Sequence, residues 1–138
     1  MATLIDTNIL VYAARADGDR DRQEAATRAL QRYHADGALA VQILAEFASV
    51  LLRKGRPLTD VQEDVASLRQ SWRVVAPNVD TVPLALSAVA LHRMSFWDAM
   101  LWAIAKQHSL SSILTEDGPT GTTVGGVQYL SPFYISAP

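Results

Sequence analysis

The chain has 138 residues, of which 49% are apolar and 19% charged, a balance that supports a packed core and excludes an intrinsically disordered segment. It has no cysteine, which excludes disulfides, thiolate zinc sites and thiol nucleophiles and fits a reducing compartment such as the cytoplasm. A net charge of −2 carries no bulk signature of a nucleic-acid binder, although a local basic patch can coexist with an acidic site.

Ala2 to Ile5 is a short apolar run of strand length, followed by Asp6-Thr7-Asn8 and then by Ile9 to Tyr12, which continue as a helix to about Arg15. Ala16 to Asp19 reads as a loop. Arg20 to about Ala35 is an amphipathic helix with Ala25, Ala29, Leu30 and Tyr33 inward, stopped by Asp36-Gly37. Ala38 to Gln42 is a second strand and Ile43 to Lys54 a helix with a stripe of Ile43, Leu44, Phe47, Val50 and Leu51. After Gly55-Arg56-Pro57, the Thr59 to Gln62 spacing is a capping box and predicts a helix from Asp60 to about Gln70. Trp72 to Ala76 is a strand. Asp80 caps a helix ending near Arg93, and Ser95 opens another to about His108. Ser111 to Leu114 is a core strand, Glu116 to Gly126 a glycine- and threonine-rich loop, Val127 to Leu130 a last strand, and Pro132 to Pro138 a tail.

Strands and helices alternate, with helices in excess. This predicts an α/β architecture in which helices wrap both faces of a short, mostly parallel sheet. The length predicts a single domain over residues 1–138. No apolar run approaches the ~20 residues of a membrane span, and Met1 leads directly into the first strand, so neither a span nor a secretory leader is expected. There is no internal repeat or low-complexity tract.

Four carboxylates fall at equivalent places on this map. Asp6 follows the first strand. Glu46 lies in the first turn after the second. Asp98 lies in the first turn of the helix opened by Ser95, and Asp117 follows the strand that ends at Leu114-Thr115. In a parallel sheet, strand ends and the helix starts after them share one edge, where ligands bind. Each acid has a structural alternative: Asp6 as a helix cap, Asp98 in a capping box with Ser95, Glu46 at a solvated stripe edge, Asp117 as a turn residue. Glu116 reads as a solvated neighbour. Their joint position points to a cleft whose mutual repulsion is relieved by a hard divalent cation, Mg²⁺ or Mn²⁺. Thr7, Asn8 and Thr115 add neutral oxygens beside the acids, suited to positioning ligand or water.

These residues resemble a known family. Leu4-Ile5-Asp6-Thr7-Asn8-Ile9-Leu10, the glutamate in Gln42-Ile43-Leu44-Ala45-Glu46-Phe47, the stretch from Leu91 through Ser95-Phe96-Trp97-Asp98-Ala99-Met100, and Ile113-Leu114-Thr115-Glu116-Asp117-Gly118 together resemble the PIN-domain ribonucleases, in particular the VapC-type toxins of bacterial toxin–antitoxin pairs. The resemblance implies a three-layer α/β/α PIN-like fold and a Mg²⁺- or Mn²⁺-dependent endoribonuclease with Asp6, Glu46, Asp98 and Asp117 as its acidic set. Asp6 and Asp98 would be the most direct ligands, with Glu46 and Asp117 binding directly or through water. In a two-metal site the ions lie roughly 3.5–4 Å apart. It further implies a homodimer and a small cognate VapB-like antitoxin that covers the cleft. The chain departs from the pattern at Gly118-Pro119-Thr120-Gly121-Thr122-Thr123.

Arg15, Arg53, Lys54, Arg56 and Arg93 are candidates for phosphate contacts, and Tyr12, Phe96 and Trp97 for stacking on an unpaired base. His34, His92 and His108 show no ligand spacing and read as surface or packing residues. The helix pair Arg20–Ala35 and Ile43–Lys54 offers a self-association face. Two rival functions stand beside the nuclease. A metal-dependent phosphatase that forms an aspartyl phosphate needs a second aspartate two residues after the first, where this chain has Asn8. A non-catalytic RNA- or protein-binding domain would carry a degenerate metal site. No Walker-type phosphate loop occurs.

Overall fold

The computed structural model describes residues 2–14 and 18–134. Arg15, the loop residues Ala16 and Asp17, and the tail beyond Tyr134 therefore lie outside the described residues. In chain order the elements are β1 (Thr3–Ile5), α1 (Thr7–Ala13), α2 (Arg20–Tyr33), β2 (Gly37–Ala40), α3 (Val41–Arg53), α4 (Leu58–Ser71), β3 (Arg73–Val75), α5 (Thr81–His92), α6 (Phe96–Gln107), β4 (Ser112–Leu114), β5 (Thr123–Val124), β6 (Val127–Leu130) and a 3₁₀ turn, Pro132–Tyr134.

One sheet of order β3-β2-β1-β4-β6-β5 forms the middle layer, parallel throughout except for the β5–β6 hairpin. The chain steps from β1 to β2 to β3 in one direction and then jumps back across β1 to β4. Right-handed crossovers put the helices of the first two steps on one face and α5 and α6 on the other. The packing follows this division: α1 against α2 and α3, α3 against α4, and α5 against α6. Layers on both faces explain why β1, β2 and β4 are buried at every residue. Leu4, Ile5, Leu39, Ile113 and Leu114 fill the centre. The reversal of strand order between β1 and β4 creates a crevice at their carboxyl ends, the usual ligand position in such sheets.

The boundaries differ from the sequence reading in instructive places. The second strand stops at Ala40 and α3 begins at Val41 without a loop, although Val41 and Gln42 read as strand. Pairing ends there because β3 reaches only Val75, opposite Ala40. Helix α4 starts at Leu58, directly after Pro57, so the Thr59 capping box is bypassed. Pro57, with φ of −56°, sets the entry angle itself. Asp80 occupies its cap position but makes no side-chain cap bond. The loop from Glu116 to Gly126 hides a strand, β5, joined to β6 by Gly125-Gly126. Both glycines have positive φ, 53° and 86°, as a two-residue hairpin turn of this hand demands. Gly37 is required for a different reason: a Cβ there would lie 2.3 Å from the Trp72 ring and 2.6 Å from the Tyr33 carbonyl oxygen.

Candidate active site

Asp6 leaves β1 in extended conformation and caps α1. Its Oδ1 accepts from the Thr7 backbone N–H at 2.7 Å. Its Oδ2 accepts from the Thr115 hydroxyl at 2.8 Å, and its backbone N–H donates to the Leu114 carbonyl at 2.9 Å. Capping and placement at the strand end are thus the same event, so the cap reading and the site reading of Asp6 do not compete. Burial raises the Asp6 carboxyl above its ordinary value; the Thr115 and Thr7 bonds oppose the rise, and the charges of Glu46 and Asp117 add to it.

The other acids reach the same place from separate elements. Because α3 starts at Val41, Glu46 lies in its second turn rather than its first. Its Oε2 accepts from the Thr7 hydroxyl at 2.8 Å, which ties α3 to the start of α1. Asp98 sits in the first turn of α6, where the Ser95 hydroxyl caps its backbone N–H at 3.3 Å. Asp117 follows β4; its backbone N–H donates to the Thr115 hydroxyl at 3.2 Å and its Oδ2 accepts from the Asn8 amide at 3.1 Å. Asp6, Glu46, Asp98 and Asp117 all line one groove with Thr7, Asn8, Gln42, Trp97 and Leu101. Thr115 lines a second cleft that shares Asp6, Asp98, Leu101 and Asp117 with the first and extends toward Arg93, Val124 and Tyr129. Every residue the sequence singled out for the site therefore borders this crevice.

The carboxylates are spread along it rather than drawn together. Among the described residues no three acidic or histidine side chains are clustered tightly enough to enclose one ion. Their hydrogen bonds give the reason, since Asp6, Glu46 and Asp117 are each held by a neighbouring hydroxyl or amide. Two buried polar atoms on this crevice have no partner among the described residues, Oδ1 of Asn8 and the hydroxyl of Tyr129. An all-oxygen wall of carboxylates with an unsatisfied amide oxygen beside it suits a hard divalent cation.

Several secondary candidates take other roles. The Tyr12 hydroxyl donates to Glu116, and Arg22 donates to Tyr12 at 2.9 Å and pairs with Glu116 at 3.4 Å. Burial, reinforced by Glu116, pushes the Tyr12 phenol up to about 12. Tyr12 is thereby committed to packing, and Glu116 to Arg22 in a separate groove that they line with Asp19 and Thr120. Arg56 pairs with Asp64 at 2.8 Å. Of the described basic candidates only Arg93 lines the crevice. His34 and His108 donate to the carbonyls of Ser71 and Ala76 at 2.8 and 2.9 Å, as packing histidines. His92 borders the deeper cleft beside Trp102. Phe96 is half-buried against Trp97, which is 66% exposed at the rim. Sequence reasoning missed Gln42 and Tyr129. The alternation of β6, with Val127 and Tyr129 inward, was the available signal for the latter.

Comparison with known proteins agrees with this geometry. No curated protein sequence matches the chain. Among solved structures, a toxin–antitoxin complex from Klebsiella pneumoniae superposes with a TM-score of 0.73 at 19% identity, covering 97% of this chain and 100% of that one. VapC20 of Mycobacterium tuberculosis, a sarcin–ricin-loop-cleaving toxin, gives 0.67 at 20% identity over 86% of this chain and 92% of its own. VapBC2 from Rickettsia felis, bound to a DNA fragment from its promoter, gives 0.69 at 12% over 95% and 98%. At these identities the likeness is one of fold. The PIN-domain family model matches residues 3–118, which hold β1 through β4 and all four acids, and the chain belongs to the PIN-domain family.

Proposed function

We propose that the protein is a divalent-metal-dependent endoribonuclease and the toxin of a VapBC-type toxin–antitoxin pair. The observation that carries this reading is that Asp6, Glu46, Asp98 and Asp117, from four separate parts of the chain, all line one groove at the strand-order reversal. Asp6 and Asp98 would hold Mg²⁺ or Mn²⁺, with Glu46 and Asp117 contributing directly or through water. The cation, when bound, supplies Lewis-acid activation of water and stabilisation of charge on the phosphate.

The chain's own groups do the rest. Thr115 fixes Asp6 and the backbone of Asp117 together, and Thr7 fixes Glu46. Asn8 holds Asp117 through its amide N–H and keeps its oxygen free to accept from a ligand or water. Burial and neighbouring charge leave the Asp6 carboxylate short of positive charge, so a cation is favoured where a proton would otherwise go. Trp97 at the rim offers a face to an unpaired base.

An RNA substrate is supported by the fold shared with VapC20, and an antitoxin partner by the complexes from Klebsiella pneumoniae and Rickettsia felis. The antitoxin would be VapB-like and cover the groove. Homodimerisation is supported by exposed Val82 and Leu86 on α5. The protein would act in the cytoplasm as one domain, where RNA and antitoxin meet it; no described helix is long and apolar enough to cross a membrane. The test is RNA cleavage with and without Mg²⁺ by the purified protein and by its Asp6→Ala and Asp98→Ala variants. Cleavage that needs metal and is lost in both variants supports the proposal. A folded variant that cuts at the parent rate ends it. Release of phosphate from small esters without RNA cleavage would instead favour a phosphatase, and neither activity a binding domain.

A further inference from the structure

The hydroxyl of Tyr129 is buried, with the residue only 4% exposed, and it has no hydrogen-bond partner among the described residues. Buried phenols ordinarily find a partner, since leaving one unpaired costs free energy. This one sits on the deeper cleft with Asp6, Asp98 and Asp117. Its place is fixed on all sides. The Tyr129 backbone N–H donates to Thr122 at 2.8 Å, its carbonyl accepts from Gly121 at 2.9 Å, and β6 pairs it with Ile113 of β4. Its ring lies against Gly118 so closely that a Cβ there would stand 2.9 Å from the ring. Burial, and after it the charges of Asp98 and Asp6, raises the phenol above its ordinary value.

We infer that Tyr129 is a positioning residue of the acidic cleft, whose hydroxyl hydrogen-bonds an oxygen that arrives with the ligand. This rests on the metal-dependent ribonuclease reading and names a hydroxyl that the acidic set lacks. Carboxylates accept and cannot donate, so the phenol adds a neutral hydroxyl, beside Arg93 and Ser95, to a cleft whose acids offer acceptors alone. The oxygen belongs either to a water of the hydrated divalent cation, which would donate to the phenol oxygen, or to a phosphate of the RNA, which would accept from the phenol O–H.

The experiment compares the full chain with Tyr129→Phe and Asp98→Asn. The metal-free melting temperature is measured first. Tyr129→Phe leaves it unchanged or higher, because only an unpartnered hydroxyl is removed; a clear fall would make the hydroxyl structural and overturn the inference. Mn²⁺ binding is then followed by electron paramagnetic resonance without RNA, and binding of single-stranded RNA is followed in Ca²⁺ with strand integrity checked. Tyr129→Phe weakens one of the two by about 10-fold, as loss of an outer-shell partner does. Loss in the Mn²⁺ titration assigns the oxygen to the hydrated cation; loss only in the RNA titration assigns it to phosphate. No change in either overturns the inference. If Tyr129→Phe is unchanged while Asp98→Asn loses Mn²⁺, only the role of Tyr129 falls. If Asp98→Asn also binds Mn²⁺ like the parent, the metal-site reading falls with it.

Discussion

Thr115 is the most informative position for testing how the acids are held. It is 2% exposed, donates to Asp6 at 2.8 Å and accepts from the Asp117 N–H at 3.2 Å. Thr115→Val keeps the shape and removes both bonds. A hydrogen bond to a charged group contributes about 1.5–3 kcal/mol, and the methyl that replaces the hydroxyl recovers a fraction, so a net loss of about 2 kcal/mol is expected at neutral pH. With a urea dependence of roughly 2 kcal/mol per molar, the unfolding midpoint falls by about 1 M. The loss depends on pH. Burial already raises the Asp6 carboxyl, and the Thr115 bond opposes that rise, so removing the bond raises it further. A group raised in the folded state contributes fully below its unfolded value and loses that contribution as pH rises through the folded one. The destabilisation by Thr115→Val is therefore smaller at about pH 4, where the loss of the Asp117 N–H bond remains, than at about pH 8, where the loss of the bond to ionised Asp6 adds to it. Urea titrations of both proteins at the two pH values test this. An equal loss at both, or none at either, would refute the claim that Thr115 acts through the ionised Asp6.

Asp6→Asn separates stability from function: without metal it is more stable than the parent at neutral pH, the gain shrinks as pH falls from the raised Asp6 value toward the ordinary carboxylate range, and the thermal stabilisation that Mn²⁺ gives the parent disappears. Asparagine caps a helix as well as aspartate, so the cap itself is not lost. Trp97→Ala leaves the melting temperature in place, because the side chain is 66% exposed, but weakens single-stranded RNA binding by about 1–3 kcal/mol in a fluorescence titration.

Much of the site was legible because its chemistry is tied to strand ends. Asp6, Asp98 and Asp117 each follow or open an element whose apolar pattern is plain, so a parallel sheet brings them to one edge. Glu46 was legible in kind but not in position. The junction at Ala40–Val41 has no turn residue to mark it, and the strand ends where its neighbour β3 ends. Tertiary partners were beyond reach. The Tyr12–Glu116–Arg22 set joins α1, α2 and the loop after β4, and no local pattern announces a contact across so much chain. The same holds for Tyr129: alternation marks it inward, but only the sheet order puts it on the cleft that Asp6 and Asp98 line.

The direct test is anomalous diffraction at the manganese edge from crystals of the full chain grown with Mn²⁺. The account requires a peak bounded by Asp6 and Asp98, with Glu46 and Asp117 in reach directly or through water. A protein that binds Mn²⁺ only elsewhere, with these four carboxylates still apart, would contradict it.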